Sequence, residues 1–304
     1  TGDFTYRLYQ TRNTHRSNNL FYREYPDGPL LSYATGAGLN KLSESVNTRN
    51  YYSANVFANY EDTFGEAHHV TGVVGFNYER MYLKNVSAAG QNLTSTSLDD
   101  LDLVGQNAEG EVLTEVGGGQ SEYALAGFFG RVNYDYKGRY LVEVSGRYDG
   151  TSRFDSNSRW GWFPSASVGW RISEEPFFGR AKNVVDNLKL RASFGSLGNQ
   201  NVASYYPNLR LVTRHDFGSF TFGDGSVGKY TSLGAPVASD LTWETAQQWD
   251  LGLDVSMLGN RFNLTADIYM RDTKDMLTDG IALPGVYGAS LPDMNAADLR
   301  TKGY

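Results

Sequence analysis

The chain has no cysteine, only 8 prolines in 304 residues, and no apolar run approaching the roughly 18 residues that a membrane helix needs. Without cysteine there are no disulfides, thiolate metal sites or thiol nucleophiles. The missing apolar run excludes a helical membrane protein. It does not exclude one that crosses with strands, because a barrel strand needs apolar residues only at alternate positions. Basic residues are in deficit, 27 Lys and Arg against 34 Asp and Glu for a formal charge of -7. No phosphate-binding surface is implied, and nucleic acid is set aside as a partner. Thr1-Gly2-Asp3-Phe4 is no signal peptide, and the chain opens in what reads as a strand, as an excerpt of a longer protein does.

What is abundant is aromatic residues and glycine: 21 Tyr, 16 Phe, 5 Trp and 34 Gly. This composition favours strands and turns. The main signal is sustained period-two alternation. Tyr140, Val142, Val144, Gly146 and Tyr148 alternate with Leu141, Glu143, Ser145, Arg147 and Asp149. Trp162, Pro164, Ala166, Val168 and Trp170 share one face of a second stretch, Trp249, Leu251, Leu253 and Val255 one face of a third, and Phe262, Leu264, Ala266, Ile268 and Met270 one face of a fourth. This reading gives about nine strands, near 3–12, 50–63, 66–81, 121–136, 139–150, 160–173, 187–197, 243–257 and 260–275.

The connectors carry as much information as the strands. Phe64-Gly65, Lys137-Gly138 and Gly259-Asn260 read as tight hairpins. Residues 174–186 read as a short helix with Ser173 near its cap. The connectors 13–49, 82–120, 198–242 and 276 onward are long, and 151–159 is shorter. In an antiparallel meander alternate connectors fall at opposite ends, and here every tight one falls at one end. Short periplasmic turns and long extracellular loops are how outer-membrane barrels are built. Trp162 and Trp170 lie ~26 Å apart along a strand. A tilt of ~40° reduces that to ~20 Å of height, close to the apolar band between two aromatic girdles. Slipping the register by one residue would turn Glu143 and Arg147 towards lipid, so the polar face looks inward. The fold class is therefore all-β: a partial antiparallel up-and-down transmembrane β-barrel occupying 1–304. A soluble sandwich or adhesin also alternates, but its strands run about 5–6 residues. A detergent-independent folded monomer would favour that alternative.

Candidate chemistry is sparse. Neighbouring His68 and His69 point to opposite faces of a strand and cannot share a metal. Asp99-Asp100-Leu101-Asp102 lacks the oxygen spacing of a calcium loop and reads as an acidic helix start, while Asp149-Gly150, with Asp155 and Asn157, reads as a turn. Gly117-Gly118-Gly119 precedes no helix and is no phosphate loop, and Gly127 and Gly130 suit close strand approach. No nucleophile, base and orienting group come together, so the chain reads as no enzyme, with no catalytic, cofactor or metal residues. Loss of ester hydrolysis on changing a single Ser or His would favour a barrel hydrolase instead. For ligand contact the weak candidates are Tyr205, Tyr206 and His215 in the 198–242 loop and Trp160 at the rim, since sugars stack on aromatic faces. Ordinary loop packing or girdle placement is the competing reading for each.

Several blocks occur in a familiar order: Gly138-Arg139-Tyr140-Leu141-Val142, Ser145-Gly146-Arg147-Tyr148-Asp149-Gly150, Arg159-Trp160-Gly161-Trp162-Phe163-Pro164, Glu174-Glu175-Pro176-Phe177-Phe178, Leu190-Arg191-Ala192-Ser193-Phe194-Gly195, Leu241-Thr242-Trp243-Glu244 and Asp275-Met276-Leu277. Over about 121–277 the chain resembles the SusC/RagA family of TonB-linked outer-membrane transporters of Bacteroidota. The resemblance implies a barrel of about 22 strands plugged by an N-terminal domain. It implies import of an oligosaccharide or peptide driven by TonB and the proton-motive force. It also implies a SusD-type surface lipoprotein partner and a place among outer-membrane lipid in a Gram-negative bacterium. Plug domain, TonB box and the remaining strands are not found in this stretch. The chain is expected to end in an extracellular loop, with Lys41, Lys84 and Lys229 in the long loops and Lys137 and Lys182 in the short connectors.

Overall fold

A computed structural model describes all residues except 19, 34–39, 108, 203, 208, 211, 222–226, 235–236, 238–240, 280–283 and 285–292. Its strands are β1 (Gly2–Ser17), β2 (Leu20–Tyr22), β3 (Leu31–Tyr33), β4 (Lys41–Phe64), β5 (His68–Gly90), β6 (Thr114–Tyr136), β7 (Tyr140–Thr151), β8 (Trp160–Arg171), β9 (Val185–Asn199), β10 (Val212–Thr221), β11 (Val227–Leu233), β12 (Glu244–Met257), β13 (Phe262–Asp279) and β14 (Asp293–Gly303). Ten of them are hydrogen-bonded in the order β1-β4-β5-β6-β7-β8-β9-β12-β13-β14. The pairs β2-β3 and β10-β11 form separate two-stranded ribbons. No described helix is long and apolar enough to cross a membrane.

The described residues group into two compact units. The first comprises Thr1–Phe4, Ala54–Glu79 and Tyr123–Tyr304. Its pairing is antiparallel and nearly unbroken: β12 runs beside β13 from Thr245↔Lys274 to Met257↔Phe262. The alternation therefore fixes the faces as expected. Trp162, Val168, Trp249, Leu251, Leu264 and Ile268 are exposed on one side. The second unit, Thr5–Ser53 and Arg80–Glu122, holds strand segments joined by pairs such as Arg12–Glu44 at 2.9 Å and Lys41–Glu115 at 2.8 Å.

Several expectations need correcting. The main sheet has ten strands rather than nine, because residues 293–303 form β14 where a terminal loop was expected. β1, β4, β5 and β6 extend well into the expected loops 13–49 and 82–120, so Lys41 and Lys84 stand on strands. Lys229 stands on β11, inside the connector 200–243. The 172–184 connector is two 3-10 turns, Ile172–Glu174 and Pro176–Asn183. Ser173 does not cap them: it is buried within the first turn and donates to Asn187 Oδ1 at 3.4 Å. Asp149 and Gly150 lie within β7, opposite Gly161 and Trp160, rather than in a turn. At Gly130 a Cβ would make only an ordinary contact, 3.6 Å from Val73 O, so no close strand approach demands glycine there. The acidic stretch does open a 3-10 turn, Leu101–Leu103, with Asp100 Oδ1 accepting from Asp102 N at 3.1 Å.

The tight turns are chemically legible. Lys137 and Gly138 both have positive φ, 54° and 66°, as a two-residue hairpin of this hand requires. Asp135 Oδ1 accepts from Gly138 N at 2.5 Å. Beside this turn the aromatic residues of the apolar face gather. His68 lies against Tyr134 and Tyr136, and Tyr140 stacks on Trp170 with rings 6.5 Å apart and 8° from parallel. The nearly buried Glu175, in the connector, accepts from Tyr140 Oη at 2.6 Å and from Trp170 Nε1 at 3.0 Å, with Arg139 at 3.8 Å.

Those two hydrogen bonds, Tyr140's first, hold the Glu175 carboxyl below its ordinary range. A depressed folded-state value contributes stability above the unfolded carboxyl value of about 4.3, and that stability is lost as pH falls through the folded value. In the full-length protein, Glu175→Gln should lower the unfolding midpoint at neutral pH and remove part of its decline below about pH 4.5. An acid dependence identical to the wild type's would rule out this role.

Candidate functional site

The polar face of the first unit is organised around Arg191 of β9. Its Nε donates to Asp254 Oδ2 at 3.0 Å and its Nη2 to Asp267 Oδ2 at 3.1 Å, while Asp250 lies 4.0 Å from Nη1. Reaching Asp267 means crossing β12, and Gly252 makes that possible. Arg191, Gly252 and Asp267 are in register across three strands, and a Cβ on Gly252 would strike the Arg191 guanidinium and the Asp267 carboxylate. The same device recurs at Gly127, where a side chain would collide with Asp149, itself held by Arg147 at 2.8 Å.

Above this face, in the connectors 152–159 and 200–243, a buried apolar knot forms from Phe154, Phe163, Leu241 and Trp243. Phe163 belongs to the polar face of β8, and its ring lies flat against Gly161 and Gly198. Hydrogen bonds lock the knot: Trp243 Nε1 donates to Arg159 O at 3.1 Å and Ser158 Oγ to Leu241 O at 2.8 Å. Asn295 of β14 accepts from Thr242 N at 2.9 Å and donates back to Thr242 O at 3.0 Å.

Next to the knot, Arg153 lies over two tyrosine rings, 4.5 Å from the centroid of Tyr123 and 5.5 Å from that of Tyr205. The rings are 5.6 Å apart and 18° from parallel, and Tyr123 Oη donates to Glu79 Oε1 at 3.1 Å. Arg153 Nη1 donates to Gln200 O at 3.3 Å, while Arg153 Nε and Gln200 Oε1 are buried without a hydrogen bond. The result is a cation set against a pair of stacked aromatic rings, with polar atoms to spare.

Tyr205 thus joins an aromatic and cationic cluster. Tyr206 lies one residue further along the same loop, where its backbone N–H donates to Ser204 Oγ at 3.1 Å. His215 sits on the β10-β11 ribbon, 2.7 Å from Ser232 Oγ and stacked on Tyr230 at 4.9 Å. Trp160 stands elsewhere, on the apolar face. Its indole covers Gly150 and stacks on Tyr148 at 5.0 Å. His68 and His69 diverge, to Tyr134 Oη at 2.8 Å and to Thr63 Oγ1 at 3.1 Å respectively. Sequence reasoning missed Arg153, Tyr123 and Arg191. The available signal for Arg191 was a cation, with Lys189 two positions before it, among polar-face positions whose partner strands carry Asp250, Asp254 and Asp267.

This combination of an aromatic-flanked apolar face, a charged polar face and loops knotted above it is matched by known proteins. A protein-family model described as "TonB dependent receptor-like, beta-barrel" matches residues 1–304. The chain belongs to the TonB-dependent receptor β-barrel family. The resemblance to SusC and RagA proteins holds as well. TonB-dependent receptor P26 of Formosa agariphila is 31% identical over 276 residues, which cover 91% of this chain and 27% of that protein. TonB-dependent receptor SusC of Bacteroides thetaiotaomicron is 39% identical over 165 residues, covering 52% of this chain and 16% of that one. A solved structure of the RagAB peptide transporter superimposes with a TM-score of 0.79 at 26% identity, covering 99% of this chain and 31% of that one. The chain thus spans about a quarter of P26 and under a third of the matched RagAB chain. As a segment of a TonB-dependent receptor barrel, it belongs in the outer membrane of a Gram-negative bacterium. The family is one of receptors rather than enzymes.

Within such a receptor the Arg191 network is testable. Replacing Gly252 with Val would push Arg191 off Asp267 and leave three carboxylates around a displaced cation. The expected loss is about 1–2 kcal/mol in urea unfolding of the full-length receptor from lipid vesicles. Breaking a fully buried pair costs about 3–5 kcal/mol, but about a third of each side chain here is exposed. Arg191→Leu should cost a similar amount, and the two changes together should be markedly less than additive. Full additivity would mean that Gly252 serves some other purpose.

Proposed function

We propose that the receptor containing this chain imports a nutrient, an oligosaccharide or a peptide, across the outer membrane, with this segment forming part of the barrel wall and its external loops. The supporting observation is the family match along the whole chain, with SusC and the RagAB peptide transporter among its relatives. Uptake draws on TonB through a region outside this segment, and a SusD-like surface lipoprotein delivers the substrate. Outer-membrane lipid surrounds the apolar face. Tyr205, with Tyr123 and Arg153, is the best-supported contact point, because an aromatic pair bearing a cation suits both sugar rings and peptide carboxylates. Tyr206 and His215 share that connector and serve as secondary contacts. Trp160 suits an anchor at the membrane interface better, given its place on the apolar face.

The direct test follows uptake of labelled oligosaccharide and peptide mixtures by cells with and without the receptor gene, and with the proton-motive force dissipated. Uptake that depends on both supports the proposal; uptake indifferent to either one sinks it. Tyr205→Ala should raise the half-saturating substrate concentration roughly 2- to 10-fold, the range expected from loss of one aromatic contact. Orientation is read by labelling intact cells with a membrane-impermeant amine reagent. Lys229 on the β10-β11 ribbon should be modified, whereas Lys137 in its tight turn and Lys182 in the 3-10 turn should not. Equal modification of all three without permeabilisation would contradict the proposed topology.

A further inference from the structure

The apolar face of the first unit is not evenly filled. Across β8, β9, β12 and β13 it holds a shallow groove of about 570 Å³. Ala166 and Ala192 form its floor, because these two positions carry a methyl group where neighbouring strands carry rings and branched chains. Phe194 and Trp249, with centroids 4.5 Å apart, make one wall, and Ile268 makes part of another. Its volume falls within the roughly 300–1,000 Å³ of ligand-binding clefts.

The groove has a charged end. Met270 ends the unbroken apolar series that begins at Phe262 on this face of β13, and Lys302 of β14, in register with it, also lines the groove. The next positions on the same face are Asp272, paired in register with Arg300, and then Lys274. Arg300 is committed to Asp272 at 2.6 and 2.8 Å, and the Asp298 carboxylate accepts from Asp275 N at 3.1 Å. Lys274 and Lys302 are exposed and make no close ion pair with a described residue. Three cations, Arg300, Lys274 and Lys302, therefore gather around the single Asp272 carboxylate at the edge of an apolar band. Alternation places both lysines on the side that faces lipid. Lys274 lies nearer the Asp279 end of β13 than the Phe262 end beside the tight turn, and Lys302 stands level with Met270 at mid-strand.

We infer that this groove is a binding site for a phosphorylated, acylated glycolipid of the outer leaflet. An acyl chain lies over Ala166 and Ala192, and a headgroup phosphate is held by Lys302 and Lys274. Hydrocarbon fills a depression that side chains leave open, and a phosphate at the band's edge adds counter-charge to three cations that share the Asp272 carboxylate. The place of Lys274, on the long-connector side of the apolar series, selects the outer leaflet over the inner. The inference rests on the outer-membrane location and not on the transport proposal, so either stands if the other fails.

The test uses the full-length receptor, titrated with lipid A and, separately, with phosphatidylcholine, and read by native mass spectrometry. One lipid A should be retained in preference to phosphatidylcholine. The double variant Lys274→Gln/Lys302→Gln should weaken that retention at least 5-fold without altering phosphatidylcholine binding. Ala192→Phe, which fills the groove and leaves both lysines in place, should weaken it independently. It should also reduce quenching of Trp249 fluorescence by lipid A with brominated acyl chains. Both variants are checked for the folded band on unheated gels, and the lysine variant, which alters only exposed side chains, carries the test if Ala192→Phe does not fold. Equal retention of lipid A by the wild type and the lysine variant, or equal retention of the two lipids by the wild type, would overturn the assignment and leave only an ordinary lipid belt.

Discussion

Wherever water is excluded, every backbone N–H and C=O must find its partner on a neighbouring strand, and the rest of this structure follows from that requirement. It forces pairing without gaps, as along β9, β12 and β13, where register runs continuously for a dozen residues on each side of β12. Unbroken register commits each side chain to one of two faces. One face then accumulates Trp, Phe, Leu and Ile, and the other the Arg191 network. A slip of one residue would exchange the two faces, moving Arg191, Asp250 and Asp254 into lipid together. Register is therefore the quantity that this sequence specifies most strongly.

Glycine adds what alternation cannot supply. On a pleated sheet each side chain stands over its own strand, and a contact with the strand beyond requires an empty position between. Gly252 is such a gap on the polar face, between Arg191 and Asp267. Gly146 and Gly150 play the equivalent part on the apolar face, where the indoles of Trp162 and Trp160 lie over them. These rings cover backbone that would otherwise face lipid unshielded, and they fix the rings in the row that includes Tyr148. The Tyr140–Trp170 stack closes the other end of β7 and β8 through a different device, the Glu175 carboxylate.

The segments legible in the sequence were those under the strongest constraint. β7, β8, β12 and β13 alternate because one face must be apolar, and their tight turns carry Lys-Gly and Gly-Asn for conformational reasons. Nothing imposes alternation on residues 13–17, 41–49, 82–90 or 114–120. Apolar residues there, such as Leu42, Val46, Leu83 and Val86, are too few to mark a face, so these stretches read as loop, yet backbone pairing continues through them. β14 was missed for the same reason: Ala296, Asp298, Arg300 and Lys302 on one side and Ala297, Leu299 and Thr301 on the other give no period. Its place is set by pairing to β13 and by the Asp272–Arg300 ion pair, neither of which has a local signature. The candidate site was less legible still. Tyr205 was identifiable as a loop aromatic, but Arg153 and Tyr123 join it only once β6, the 152–159 connector and the 200–243 connector are brought together.

That convergence bears on how loops of this length can bind anything. A long connector free in water would lose its conformational entropy on binding, at a cost set by every residue ordered. Here the cost is met in folding. Trp243, Leu241 and Phe154 bury themselves against Phe163, a residue of the wall, and Asn295 grips the backbone at Thr242 from a second strand. Arg153 and Gln200 emerge directly from this knot, so the Tyr123–Arg153–Tyr205 stack takes its geometry from the sheet rather than from the loop. A site supported in that way is pre-organised to the extent that its strands are. The Arg191 network and the knotted loops thus serve one end. The network holds the register of the wall, and the register of the wall positions Phe163, from which the loop site hangs.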